Sequence, residues 1–240
     1  MTGFIVDMLV HTVKGASDSS LTLQQLVEEA RRIGLDGVNI SEHDRLWDIH
    51  EMERFRLDSG LFAGRAIEVS TDLGHIIALG LERYVSGIRK AAILRRVVTE
   101  AGGFMWAAHP FRCYFDPIHF RRDGRPQPHL DPEEAARLPI FALVDELEVA
   151  NGGCTAQENA FALRVARILD KRGIGCSDAH STHGLGCFAT VFQRPLVDER
   201  ELISELRSGR YCPVEGLLSG MPTAIGEGAL NTDASFSPRD

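Results

Sequence analysis

Short apolar runs alternate with amphipathic stretches along most of the chain. Phe4–Val10 reads as a strand. Leu23, Leu26, Val27, Ala30 and Ile33 then recur at helical spacing. Thr22 and Gln25 have the spacing of a capping box, and Gly34 is a natural stop. Gly37–Ser41 predicts a second strand and Ile49–Asp58 a helix. Arg65–Ser70 and His75–Gly80 predict a strand pair around a Thr-Asp-Leu-Gly turn. Ile88–Ala101 is helical by Ile88, Ala91, Leu94, Val98 and Ala101, and Gly102-Gly103 ends it.

Phe104–Ala108 predicts a strand, and Phe111–Leu130 a long polar loop rich in Pro, Arg and His. Asp131-Pro132-Glu133-Glu134 has the marks of a helix start: an N-cap, Pro at the first position and acids in the first turn. Leu143–Val149, Gly175–Ser177 and Phe188–Phe192 predict strands. Ala156–Arg172 and Asp198–Ser208 predict helices. Strand and helix alternate repeatedly, which argues for a mainly parallel sheet with helices outside it, a barrel or a doubly wound sheet. From about Leu217 the chain is rich in Gly, Ser, Pro and Asp without periodicity. The expectation is one domain over residues 1–216 and a flexible tail over 217–240.

Composition narrows the function classes. At 240 residues, 44% hydrophobic and 25% charged, the chain is an ordinary globular sequence. A net charge of −8 argues against long nucleic acids as partners, because that affinity comes from phosphate neutralisation. The cysteines at 113, 154, 176, 187 and 212 are odd in number and form no Cys-x-x-Cys. This suits a reducing cytoplasm rather than a disulfide framework. No apolar run is long enough to span a membrane, so no membrane partner is expected.

The nine histidines add the chemistry. Most predicted strands end in a metal-ligating residue type: His11, Glu42-His43-Asp44, Glu68, His109, Glu146 and Glu148 before Asn151, and Asp178-Ala179-His180. Parallel strands present their C-terminal ends on one face, so these residues converge there. Histidine with carboxylates is a donor set suited to Zn, Mn or Fe(II). His50, His119, His129 and His183 lack a strand-end position, although His119 and His129 lie on a loop able to cover a site.

Asp7-Met8-Leu9-Val10-His11-Thr12, Ser41-Glu42-His43-Asp44, Glu68, Ala108-His109-Pro110, Glu148 with Asn151, and Ser177-Asp178-Ala179-His180 together resemble the PHP (polymerase and histidinol phosphatase) superfamily. The resemblance runs from about Ile5 to Pro213. It implies a single distorted (β/α)7 barrel carrying two or three divalent ions at its mouth, and metal-dependent hydrolysis of a phosphate mono- or diester. Carried over by motif, His11, His43, Glu68, His109, Asp178 and His180 match metal ligands, with Glu68 bridging two ions. Asp7 matches a residue that supports its neighbours.

Two positions depart from the family pattern. Leu9 stands where the family has a ligating histidine. The loop after His11, which supplies a further ligand in the family, offers Asp18 here. Glu148 matches a ligand, and Glu146 competes with it if the strand is shifted by two. His75 either approaches the site or hydrogen-bonds within the sheet.

The resulting expectation is a hydrolase of small phosphorylated substrates, using water activated at the metals. Asp178, His180 and Arg112 are its candidate catalytic residues. Arg112 is a candidate phosphate clamp, because its planar fork can pair with two oxygens, and Arg45 is a weaker one. Leu9 leaves open a binding protein with impaired catalysis. A hydrolase of a non-phosphate bond is opposed by the scarcity of lysines, with only Lys14, Lys90 and Lys171 present and none at a strand end. Cys176 reads as a buried structural thiol. The sequence leaves the oligomeric state open.

Overall fold

The computed structural model describes residues 3–122, 124 and 126–226. The strands are β1 (Phe4–Val10), β2 (Gly37–His43), β3 (Phe62–Thr71), β4 (Gly74–Leu79), β5 (Phe104–Ala107), β6 (Glu146–Asn151), β7 (Ile174–Cys176), β8 (Phe188–Phe192), β9 (Tyr211–Glu215) and β10 (Thr223–Ala224). The helices are α1 (Leu23–Ile33), α2 (Ile49–Ser59), α3 (Ala91–Glu100), α4 (Pro117–Arg122), α5 (Pro132–Ala135), α6 (Pro139–Leu143), α7 (Ala156–Ile168) and α8 (Glu199–Ser208).

Local chemistry sets the ends of the helices. Thr22 and Gln25 make the expected capping box on α1, and Gly34 closes it in the left-handed conformation at φ 81°. Thr155 with Glu158 does the same for α7, and Asp131 with Glu134 for α5. Helix α3 starts three residues later than the sequence suggests: a turn closed by the Lys90 N–H on the Gly87 carbonyl at 3.0 Å precedes it, and Lys90 is extended at φ −89° and ψ 113°. Helix α7 stops at Ile168 rather than Arg172, with Asp170 at φ 54° and Gly173 at φ 83° breaking the spiral. The polar loop after Phe111 contains α4, none of whose residues is buried. Leu143 ends α6 instead of opening a strand, so β6 begins at Glu146 and runs to Asn151.

The sheet order is β10-β9-β8-β1-β2-β3-β4-β5-β6-β7. Strands β1, β2 and β3 run parallel, as do β5, β6 and β7. The expectation of a mainly parallel sheet needs correction. Strand β4 is antiparallel to both neighbours, and β8, β9 and β10 continue antiparallel from the edge of β1. A short Thr-Asp-Leu-Gly turn joins β3 to β4, and a turn that short can only reverse the chain.

The sheet curls back on itself. Strand β8 pairs with Phe4, Ile5 and Val6, leaving the far half of β1 open. There the Asp178 N–H donates to the Leu9 carbonyl at 2.9 Å, and the His11 N–H donates to the Ala179 carbonyl at 3.0 Å. These bonds bring the chain beyond β7 against β1 and give a distorted (β/α)7 barrel. Val6, Met8, Leu9, Ile77, Trp106 and Cys176 share one apolar cluster with Leu202, Ile203 and Leu206 of α8. Helix α8 therefore lies under the end of the barrel away from His11. Separate clusters pack α1 and α2 against β1 and β2, and α3 and α7 against β3 to β6.

Residues 217–226, assigned by sequence to the tail, instead form a 3-10 turn at Leu217–Ser219 and strand β10 on β9. The backbone pairing offered by β9 orders them where periodicity gave no signal. The rest of that tail, residues 227–240, lies outside the described residues. Among the described residues no helix is long and apolar enough to cross a membrane.

Candidate metal centre

The side chains converge at the C-terminal ends of the parallel strands. His11 follows β1 and His43 ends β2. Glu68 lies on β3 directly in register with His43. His109 follows β5, and Asp178 and His180 follow β7. Strand β4 runs the opposite way, so its first residues reach the same mouth, and His75 arrives there.

Glu68 is the hub. Its carboxylate is buried, with His75 Nδ1 at 2.6 Å and His109 Nε2 at 3.1 Å from Oε1. His11 Nε2 at 3.1 Å and His43 Nδ1 at 3.2 Å face Oε2. His11 Nε2 also faces Asp178 Oδ1 at 3.3 Å. Asp18 lies over the rim, its Oδ2 3.4 Å from His43 Nε2 and 3.6 Å from His180 Nε2. The His11 ring stacks between those of His43 and His180, with centroids 4.2 and 4.4 Å away.

Two donor groups result. His11, His43 and His180 form one, and Glu68, His75 and His109 the other; within each group the donor atoms lie within 4.8 Å of one another. His75, whose place the sequence left open, lies against Glu68 in the second group. Asp178 touches the first group through His11, and Asp18 reaches it from the surface.

Glu148 and Glu146 do not join. Glu148 Oε1 accepts the Trp106 indole N–H at 3.0 Å. Its Oε2 accepts the His109 backbone N–H at 2.7 Å and the Asn151 amide at 2.8 Å. Glu148 thus lies outside both donor groups, and its Oε2 holds the His109 backbone from behind. Glu146 sits at the start of β6, the far end of a parallel strand. There it accepts from the Tyr211 hydroxyl at 2.8 Å and the Arg172 N–H at 3.1 Å.

Asp7 lies behind the segment that carries Asp178 and His180. Its fully buried carboxylate accepts N–H groups from Ser177 at 2.8 Å and Gly186 at 3.0 Å, fixing both ends of the segment that carries Asp178 and His180. Burial pushes its carboxyl up to about 6 against those bonds. Leu9 is wholly buried among apolar side chains. His109 and Asp178 both hold positive φ, 29° and 55°. Such strain in non-glycine residues persists where surrounding bonds enforce it, and it clusters at functional sites.

Arg112 turns back from the loop after β5 and pairs its guanidinium with Asp178 Oδ2. It also reaches Asn151 Oδ1 at 3.4 Å. A Cβ at Gly153 would meet that guanidinium, so a side chain there would displace Arg112 from this position. Nothing in the sequence singles out this glycine, whereas Glu42 stands among the strand-end candidates and is buried. Glu42 accepts the Thr12 N–H at 3.1 Å and the Trp47 indole N–H at 2.9 Å, tying together the loops after β1 and β2.

Electrostatics divides the centre sharply. Burial would raise the Glu68 carboxyl, yet the imidazoles of His109, His11, His43 and His75 hold it well below the usual range. Burial would likewise raise Asp178, but His11 and Arg112 bring it down to about 2. Burial would lower His11, whereas Asp178 and Glu68 raise it to about 9. Two ionised carboxylates thus draw positive charge into a buried site. His11 Nδ1 and Nε2 and Glu68 Oε2 are buried and make no well-formed hydrogen bond. Unpaired donor atoms of this kind, in a nitrogen and oxygen set, fit divalent cations. Burial pushes the Cys176 thiol well above its ordinary value, consistent with a structural role.

The PHP-associated family matches residues 156–211, from the start of α7 to the first residue of β9. A similar structure from Bifidobacterium adolescentis, named a metal-dependent phosphoesterase, has 19% identity and a TM-score of 0.58, covering 84% of this chain and 95% of that one. A two-domain protein from Bacteroides vulgatus containing a PHP-like metal-dependent phosphoesterase has 21% identity and a TM-score of 0.59, covering 89% of this chain and 65% of that one. An amidohydrolase from Chromobacterium violaceum with bound sulfate has 15% identity and a TM-score of 0.56, covering 86% and 96%. No curated protein matches. At these identities the structures establish the fold alone, and the PHP-associated match covers the segment from α7 to the start of β9.

Proposed function

We propose that the protein is a metal-dependent phosphoesterase acting on a small phosphate mono- or diester. The observation that carries this reading is Glu68, whose two carboxylate oxygens each face two histidines. Oε1 faces His75 and His109 of its own donor group and Oε2 faces His11 and His43 of the other, which suits a bridging ligand. Glu68, His75 and His109 would hold one divalent ion, and His11, His43 and His180, with Asp18 and Asp178 beside them, would hold a second or third. Mn, Zn or Fe suit these donors. Such ions supply Lewis-acid charge for the phosphoryl oxygens and an acidified water.

The chain's own residues do the rest. Asp178 keeps its charge at neutral pH and orients the Arg112 fork over the mouth. Arg112 then has further N–H donors to place on two phosphoryl oxygens. Asp7 and Glu148 keep the backbone on which Asp178, His180 and His109 stand from relaxing. The phosphate-ester preference rests on this anion-accepting Arg112 and on the resemblance to PHP phosphoesterases.

The test is turnover of p-nitrophenyl phosphate after reconstitution with Mn, Zn or Fe. Asp178→Asn keeps a residue type that tolerates the left-handed backbone while removing the charge. Metal-dependent turnover is expected to fall at least about a hundredfold. Full turnover in that variant overturns the proposal.

A further inference from the structure

The segment between β1 and α1 continues the seam that closes the barrel. Across that seam the His11 N–H donates to the Ala179 carbonyl, and one step further the Ser20 N–H donates to the His180 carbonyl at 2.8 Å. Ser19 stands at this junction. Its hydroxyl lies 2.9 Å from the His11 carbonyl and 3.2 Å from the His180 carbonyl, and it accepts the Leu21 N–H at 3.2 Å. One half-buried side chain thus touches the backbone of two members of the His11–His43–His180 group.

The rest of the segment folds back on itself. The Ala16 N–H donates to the Thr12 carbonyl at 3.0 Å, the Ser19 N–H to the Ala16 carbonyl at 3.2 Å, and the Val13 N–H to the Leu21 carbonyl at 3.0 Å. Ala16 and Leu21 are buried beneath it. Asp18, next to Ser19, is exposed at its crest. There the Asp18 carboxylate meets His43 Nε2 and His180 Nε2 only at 3.4 and 3.6 Å. Exposed charge contacts of that length restrain a side chain weakly. The backbone that carries Asp18 therefore decides where its carboxylate stands, and the hydroxyl of the next residue pins that backbone to both strand ends.

We infer that Ser19 is a positioning residue for the ion of the His11–His43–His180 group, acting by holding Asp18 over it. The inference rests on the metal-dependent reading of the centre. Outer partners of this kind set metal affinity by orienting the groups that face the ion. Glu68, His75 and His109 stand on β3, on β4 and after β5, away from the seam that Ser19 spans. Their ion should be indifferent to Ser19, and that asymmetry separates positioning from a general loss of structure.

The test is calorimetric titration of the metal-free full chain with Mn(II), for the wild type, Ser19→Ala, Asp18→Ala and the double variant. Ser19→Ala should weaken one binding step at least about tenfold, the same step that Asp18→Ala weakens, and leave any other step unchanged. In the Asp18→Ala background Ser19→Ala should cost nothing further, because the two residues act as one unit. An equal further loss in that background, a loss at every step or a loss at none overturns the inference. If the wild type binds no Mn(II), the metal-dependent reading fails instead. Amide exchange then decides the clamp alone. Faster exchange at Val13, Ala16 and Ser20 in Ser19→Ala, with α1 unchanged, supports it, and unchanged exchange at those three positions overturns it.

Discussion

His75 Nδ1 lies 2.6 Å from Glu68 Oε1 across the β3–β4 hairpin. Glu68 pairs in register with Ile77, so His75 is its diagonal neighbour two residues along, on the same face of the sheet. Because β4 runs antiparallel, its beginning shares the mouth with the ends of β1, β2 and β3. His75→Ala should therefore strip one ligand from the Glu68–His109 group. Metal retained per chain against a graded chelator is expected to drop, with affinity falling at least about tenfold. Unchanged retention would show that His75 only braces the carboxylate.

Leu9 is wholly buried among Val6, Met8, Ile77, Trp106 and Cys176. Leu9→His would place an imidazole there with no hydrogen-bond partner while losing apolar contact. Without metal the variant should be less stable by about 2–4 kcal/mol. Urea unfolding in the presence of EDTA measures this. Equal or greater stability would mean that the position opens onto the polar centre rather than the core.

Asp7 accepts backbone N–H groups from Ser177 and Gly186 while itself fully buried. Asp7→Ala leaves these donors unsatisfied and opens a small void, for an expected loss of about 2–4 kcal/mol. The segment that carries Asp178 and His180 should loosen first, seen as faster amide exchange at Ser177 and Gly186 than in α1. Uniform loss of protection across the chain would count against such a local pin.

Much of this centre is legible in the sequence, for a definite reason. His11, His43, His109 and Asp178 stand at the ends of strongly apolar parallel strands, where chain direction alone fixes the face. That same logic fails for His75, which stands at the start of an antiparallel strand. Nor does it foresee that Glu148 accepts the Trp106 indole and the His109 N–H, because both contacts come from another strand. Gly153 was invisible because its role lies in a long-range approach by Arg112. Strand β10 escaped notice because edge pairing on β9, rather than side-chain pattern, holds it.

Away from the centre, Glu205 offers a pH-dependent test of the barrel's base. Its side chain is buried on α8 and accepts Arg194 Nε at 2.6 Å, with Arg210 Nη2 at 2.7 Å and Nε at 2.8 Å. The hydrogen bonds from Arg210 lead in holding its carboxyl below the usual value, outweighing burial, with Arg194 adding to them. A carboxyl lowered in the folded state contributes stability above its unfolded pKa, and that contribution disappears as pH falls through the folded value. Glu205→Gln should thus be destabilised at neutral pH, with the difference from wild type shrinking in acid below the ordinary glutamate range. Urea midpoints compared from pH 7 down to pH 3 would show the two curves converging. A gap that stays constant over that range would assign the effect to packing rather than to the ionised carboxylate.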